Sequence, residues 1–155
     1  MKQEKNKIPI TILVCDDDAD DRMLTQQALE DAHVSNDVRF VKDGEQLLDY
    51  LYQRGEYAGE NGTAPRPGLI LLDLNMPKMD GREALKIIKG DKTIHDIPIV
   101  VLSTSSLDQD IVRSYQLGVN SFITKPVTFP GLVDAMNVLG RYWLEIVELP
   151  PVPQL

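Results

Sequence analysis

Five apolar runs of strand length, each followed by a stretch with helical spacing, restrict this chain more than any other feature of its sequence. The runs are Ile10–Cys15, Val38–Val41, Leu69–Leu72, Ile99–Leu102 and Ser121–Thr124. The first, third and fourth are apolar nearly throughout, the pattern of strands covered on both faces in a parallel sheet. Helical spacing over 20–33 puts Leu24, Ala28 and Ala32 on one face, and 44–54 carries Leu47, Leu48 and Leu51. Residues 82–89 carry Leu85 and Ile88, and 107–117 carry Ile111, Val112 and Tyr115, with Ser106 and Gln109 spaced as a capping box. The last helix, over 129–147, is the longest. Strand and helix alternating in this way predict an open, doubly wound α/β sheet.

No internal repeat and no strong linker divides the chain. The organisation predicted is a flexible N-terminus at 1–7, one domain at 8–147 and an extended proline-rich tail at 148–155. The long stretch 55–68 is too rich in glycine and proline for regular structure and reads as a tolerated surface insertion. At 155 residues such a domain buries enough surface to fold without a disulfide or metal staple. One cysteine, Cys15, excludes an intrachain disulfide framework and a multi-cysteine zinc site, and fits a reducing cytoplasm. A formal charge of −8 argues against nucleic-acid binding, which needs a basic face. No stretch approaches the roughly 18 apolar residues of a membrane span.

In open α/β sheets, ligands bind beyond the carboxyl ends of the strands. The first strand ends in Asp16-Asp17-Asp18, the third in Asp73, the fourth in Ser103-Thr104 and the fifth in Lys125-Pro126. Three carboxylates (Asp16, Asp17, Asp73), a hydroxyl and an ammonium are therefore expected on one rim. Carboxylates that close repel strongly unless a proton or cation intervenes. All-oxygen ligands without His or Cys suit a hard cation such as Mg2+. Such an ion lets a phosphoryl group approach, leaving Lys125 and Ser103 for its oxygens and Asp73 as nucleophile.

Each part also has an ordinary explanation. Five aspartates in the six residues 16–21 suit a helix start. Asp73 could open a turn, Ser103 to Ser106 could cap a helix, and Lys125 could be exposed. The ordinary explanations weaken together, because all must hold at strand ends that meet in space.

These residues resemble a known family. The segments Ile12–Asp18, Leu71–Pro77 with Asp80-Gly81, Ile97–Thr104 and Gly118–Pro126 are similar to the receiver domain of two-component response regulators, of the single-domain chemotaxis-regulator type. The resemblance spans about 8–147. It implies a flavodoxin-like, five-stranded parallel sheet of order 2-1-3-4-5 with five surrounding helices. It further implies that Asp73 accepts a phosphoryl group from a histidine kinase, and that Asp17, Asp73 and the Asn75 backbone carbonyl bind Mg2+, with Asp16 acting through water. Mn2+ is an expected substitute. Lys125 and Ser103, with Thr104 beside it, would contact the phosphoryl group, and Phe122 would be the aromatic that swings inward. The Lys125–Pro126 bond is often cis in that family. A finer resemblance lies in Gly55-Glu56-Tyr57 before Pro65-Arg66-Pro67, in Asp80–Glu83 and in Tyr142–Pro150. These are similar to small regulators paired with cyanobacterial phytochromes, which implies a phytochrome-type kinase as partner.

With only a short tail after the last helix, no output domain is expected, and the output would be a surface. Phe129, Leu132, Met136, Leu139, Trp143 and Ile146 have the spacing of a helix–helix seam. The partner surface predicted comprises Val133, Met136, Tyr142, Trp143 and Val147, in a homodimer through the last helix, the fourth helix and the fifth strand.

Two other functions compete. A Mg2+-dependent phosphatase of the haloacid-dehalogenase class also uses a strand-end Asp-x-Asp, but Asp20 stands where Thr or Val is expected and Asp73 has no role in it. A pseudo-receiver that binds without taking phosphate is disfavoured by retention of every chemical position. An EF-hand at Asp16, Asp18 and Asp20 fails, because Asp21 occupies the glycine position and Gln27 the bidentate-glutamate position.

Overall fold

The computed structural model describes residues 10–59, 64–74, 76, 79–104 and 108–146, with the side chains of 108 and 144–146 excepted. Five parallel strands, β1 (Thr11–Cys15), β2 (Asp37–Val41), β3 (Pro67–Leu72), β4 (Ile99–Ser103) and β5 (Ser121–Thr124), form one sheet in the order β2-β1-β3-β4-β5. Between and after them lie α1 (Ala19–Asp31), α2 (Gly44–Tyr52), α3 (Gly81–Gly90), α4 (Asp108–Gln116) and α5 (Phe129–Gly140). Every residue of β1 and β4 is buried, as their unbroken apolar runs require, whereas the edge strands β2 and β5 are mostly half-buried.

Two apolar cores lie against the sheet. One joins alternate strand residues such as Leu13, Ile70 and Val101 to Leu47 and Leu48 of α2 and Leu85 and Ile88 of α3. The other joins Ile12, Val14, Leu69 and Val100 to Ala28 and Leu29 of α1 and Leu132, Met136 and Leu139 of α5. Successive strand residues enter opposite clusters because side chains alternate across a pleat.

Several expectations are corrected. On α1 the buried face is Thr25, Ala28 and Leu29, and Leu24 is largely exposed. Steps of 3 and 4 hold a stripe on one face, whereas the two steps of 4 from Leu24 to Ala32 drift around the helix. On α4 the side chain buried is Ser114, whose hydroxyl donates to the Asp110 carbonyl at 2.7 Å, while Val112 and Tyr115 face solvent. The expected box residue Ser106 lies outside the described residues. The stretch 55–68 is not wholly irregular: Gly55–Tyr57 forms one 3-10 turn and β3 already begins at Pro67. Proline is tolerated there because it is the first residue of the strand, at a register shift against Thr11/Ile12 of β1. No peptide bond is cis among the described residues, so Lys125–Pro126 is trans.

The last helix does run on, but α5 proper ends at Gly140 and a π-helical segment, Arg141–Ile146, continues it. Its 3-4 stripe packs inward: Leu132, Met136, Leu139 and Trp143 are all in the core shared with α1. Met136 and Trp143 are therefore core residues and not partner surface; a stripe of that spacing serves a sheet as well as a second helix. Val133 is half-buried against the same core, Tyr142 is 51% exposed, and Val147 lies outside the described residues.

Candidate phosphoacceptor site

Strand register carries the polar residues to one place. Cys15 is level with both Val41 of β2 and Leu72 of β3. Beyond that level the ladder continues: the Asp73 N–H donates to the Cys15 carbonyl at 2.9 Å and the Asp16 N–H to the Val41 carbonyl at 3.0 Å. On the other side Ser103 pairs with Thr124, and the Lys125 N–H donates to the Ser103 carbonyl at 2.7 Å. The chain ends of β1, β3, β4 and β5 thus leave the sheet with their next side chains on a shared rim.

The run of aspartates divides its labour. Asp18 is the N-cap of α1 and accepts from the N–H groups of Asp20 and Asp21 at 2.8 and 3.1 Å. For that residue the helix-start explanation is right. Asp16 is buried, accepts from the Asp18 N–H at 3.0 Å, and takes the Lys125 ammonium at 2.7 Å. Asp17 is exposed and Asp73 half-buried, and carboxylate oxygens of Asp16, Asp17 and Asp73 lie within 4.8 Å of one another. This set of hard oxygens, closely spaced and partly open to solvent, fits a divalent cation that keeps some of its waters.

Lys125 joins the cluster from the other side. Its side chain is 12% exposed and its Nζ stands 2.7 Å from Asp16, 3.4 Å from Asp21 and 3.7 Å from Asp73. Burial by itself would pull the ammonium's pKa down, but the hydrogen bond it donates to Asp16 and the fields of Asp16, Asp73 and Asp21 outweigh it and hold it above the ordinary lysine value. The base stays charged throughout the physiological range. Ser103 is fully buried at the end of β4, and Thr104 beyond it is exposed. Thr104, Asp21, Lys125 and Thr128 line a cavity of about 240 Å3 between α1 and the β5–α5 turn.

The loop after Asp73 is shaped by a close approach. A side chain at Gly81 would place its Cβ 2.4 Å from the Asp73 carbonyl oxygen, so only glycine lets the first turn of α3 rest against the site. Asp80 caps that turn, accepting from the Arg82 and Glu83 N–H groups. Beneath the rim the Cys15 thiol packs 3.4 Å from the Met76 sulfur. Burial first, and then the carboxylates of Asp43, Asp16, Asp73 and Asp17, push its pKa well above the usual value, so it is an inert thiol and not a nucleophile.

Of the residues singled out from the sequence, Asp16, Asp17, Asp73 and Lys125 come together. Asn75 lies outside the described residues. Phe122 is half-buried and packs against the core of α2 and α3, while its N–H donates to the Tyr115 hydroxyl at 3.2 Å. Asp21 was missed as a partner of Lys125. Nothing in the sequence separates it from Asp20, because only the direction of α1 decides which carboxylate reaches β5.

Comparison with known proteins agrees with this geometry. The chain is 41% identical over 150 residues to the response regulator Rcp1 of Synechocystis sp., covering 97% of this chain and 99% of that protein. The structure of the phosphorylated cyanobacterial phytochrome response regulator RcpA superposes with a TM-score of 0.85 at 44% identity, covering 93% of this chain and all of that one. The Mn2+-bound form of Rcp1 gives 0.82 at 39% identity, over 92% of this chain and all of that one. Residues 12–137 match the model of the response regulator receiver domain, and with a carboxylate triad and a lysine meeting at its strand ends the chain belongs to that family of signalling proteins.

Proposed function

We propose that Asp73 is the phosphoacceptor, taking a phosphoryl group from the phosphohistidine of a histidine kinase. The observation that carries this reading is the Lys125 ammonium poised 3.7 Å from Asp73 beside two further carboxylates. In the transfer, an Asp73 carboxylate oxygen forms a bond to phosphorus while the bond from phosphorus to the histidine nitrogen breaks, and the imidazole leaves. Asp17, Asp73 and the Asn75 carbonyl would hold Mg2+ directly and Asp16 through water, with Mn2+ as substitute. When bound, the ion offsets the negative charge of carboxylates and phosphoryl oxygens. Lys125 donates to a phosphoryl oxygen, Ser103 or the adjacent Thr104 brings a hydroxyl, and Phe122 moves inward behind it.

The signal is then a shift in population. A change of ~2–3 kcal/mol in the preference between conformers alters a minor active fraction by ~30- to 150-fold. The domain would span 8–147 and act in the cytoplasm, and a formal charge of −8 favours neither nucleic acid nor an anionic membrane surface. No helix among the described residues is long and apolar enough to cross a membrane. Likeness to phytochrome response regulators supports a phytochrome-type kinase as donor. Besides that donor, small phosphoryl compounds would suffice for self-phosphorylation, and self-dephosphorylation would follow. For output we propose a homodimer through α4, β5 and the outer side of α5. Exposed Val112, Tyr115 and Tyr142, with half-buried Val133, supply its apolar area among the described residues. Sedimentation as a monomer at tens of micromolar, with and without beryllofluoride, would remove the dimer.

A phosphatase with Asp16 as nucleophile is disfavoured, because Asp16 is 2% exposed and engaged by Lys125 and the Asp18 N–H. The deciding experiment is incubation with Mg2+ and acetyl phosphate followed by intact mass. Wild type gains one phosphoryl group and Asp73→Asn gains none, whereas Asp16→Asn would be the silent variant under the phosphatase reading. Undiminished label on Asp73→Asn overturns the assignment.

A further inference from the structure

Lys125 has three N–H donors and three carboxylates within ion-pair range, and the geometry ranks them. Asp16 at 2.7 Å and Asp21 at 3.4 Å accept hydrogen bonds; Asp73, at 3.7 Å, is beyond hydrogen-bond length. The ammonium is thus drawn towards α1 and away from the phosphoacceptor. The Asp21 backbone is fixed at the start of α1, since its N–H donates to the N-cap carboxylate of Asp18. Its side chain is 44% exposed, so its attraction for Lys125 is screened and readily surrendered, unlike that of the buried Asp16. The cavity of about 240 Å3 that Asp21, Lys125, Thr104 and Thr128 share borders the ammonium and leaves it room to move.

We propose that Asp21 is a positioning residue which retains Lys125 on the α1 side of the site and competes with the phosphoryl group for it. This rests on Asp73 being the phosphoacceptor. A phosphoryl group on Asp73 offers three oxygens and nearly two negative charges, enough to draw the ammonium across. Asp21 then loses its partner, and that loss opposes the phosphorylated arrangement. Asp21 thereby sets how readily a phosphoryl group captures Lys125, without touching that group.

The test is a cycle of four full-length chains: wild type, Asp21→Asn, Lys125→Gln and the double variant. Calorimetric titration with Mg2+ reads all four, whether or not they take phosphate. With Lys125 present, Asp21→Asn releases the ammonium towards Asp73 and weakens Mg2+ binding by about 3-fold or more. Without Lys125 only the direct loss of the Asp21 charge remains, and the shift is clearly smaller than with Lys125 present. Equal shifts in both backgrounds overturn the proposal, because Asp21 then acts only through its field. At saturating Mg2+, acetyl phosphate labels Asp21→Asn about 3-fold faster than wild type, and Asp21→Glu, which keeps the charge, returns to within about 2-fold. An Asp21→Asn rate equal to or below wild type also overturns it. Absence of label on wild type would instead refute the phosphoacceptor reading, while the Mg2+ cycle still decides what Asp21 does to Lys125.

Discussion

The helices that follow the two strands bearing the hydroxyl and the ammonium are held in different ways. After β5, α5 buries Leu132, Met136 and Leu139, and its continuation buries Trp143, in a core shared with α1. After β4, α4 buries a serine and turns Val112 and Tyr115 outward. Among the described residues, polar links tie α4 down: Arg82 of α3 reaches Asp110 at 3.1 Å, and the Tyr115 hydroxyl accepts from the Phe122 N–H of β5. Apolar burial is non-directional and fixes α5 as scaffold, whereas a few partly exposed polar links can be exchanged at small cost. Links of the second kind are the ones that local opening breaks first.

The sharpest way to break this contrast is to cut both helices. Met136→Ala, at a site with no exposure, should cost about 2–5 kcal/mol in denaturant unfolding, while Val112→Ala should fall within about 0.5 kcal/mol. Comparable losses would show that α4 is anchored as firmly as α5. Next in size is the alkaline limb. The folded-state pKa of Lys125 is raised, so its contribution is fully present below the unfolded lysine value of roughly 10.4 and is lost as pH rises through the folded value. Lys125→Gln should flatten that limb, and an unchanged melting profile between pH 9 and 12 would contradict the ion-pair geometry. Arg82→Ala should cost about 1 kcal/mol or less, given side chains 28% and 16% exposed, yet it should raise hydrogen exchange across α4 and spare α5. The smallest effect is Tyr115→Phe, a fraction of about 1 kcal/mol, read as faster exchange of the Phe122 amide alone.

Much of this architecture was legible beforehand, for identifiable reasons. The unbroken apolar runs at Ile12–Cys15, Leu69–Leu72 and Ile99–Leu102 have no stable home except between two layers of helix, and all became central strands. The rim followed, because parallel strands of similar length put their carboxyl ends level, and the polar residues at those ends had nowhere else to converge. What failed were inferences about faces. Leu24 and Val112 are apolar and correctly placed on helices, yet they face solvent, and Met136 and Trp143 were assigned outward although they are core. Hydrophobicity marks which side chains gain from burial, but not which of several candidates the neighbouring helix covers.

By itself the sequence determined the class of sheet, the strands at its centre and the carboxylates at its rim. Those outcomes depend on local pattern and on the rule that apolar strands need cover on both faces. Tertiary structure alone decided that Lys125 bonds to Asp16 and Asp21 before Asp73, and that α5 is scaffold while α4 is loosely tied. Those relations join residues between about fifty and about a hundred positions apart, across distances where a few tenths of an ångström separate a hydrogen bond from a mere ion pair. No periodicity along the chain encodes that difference.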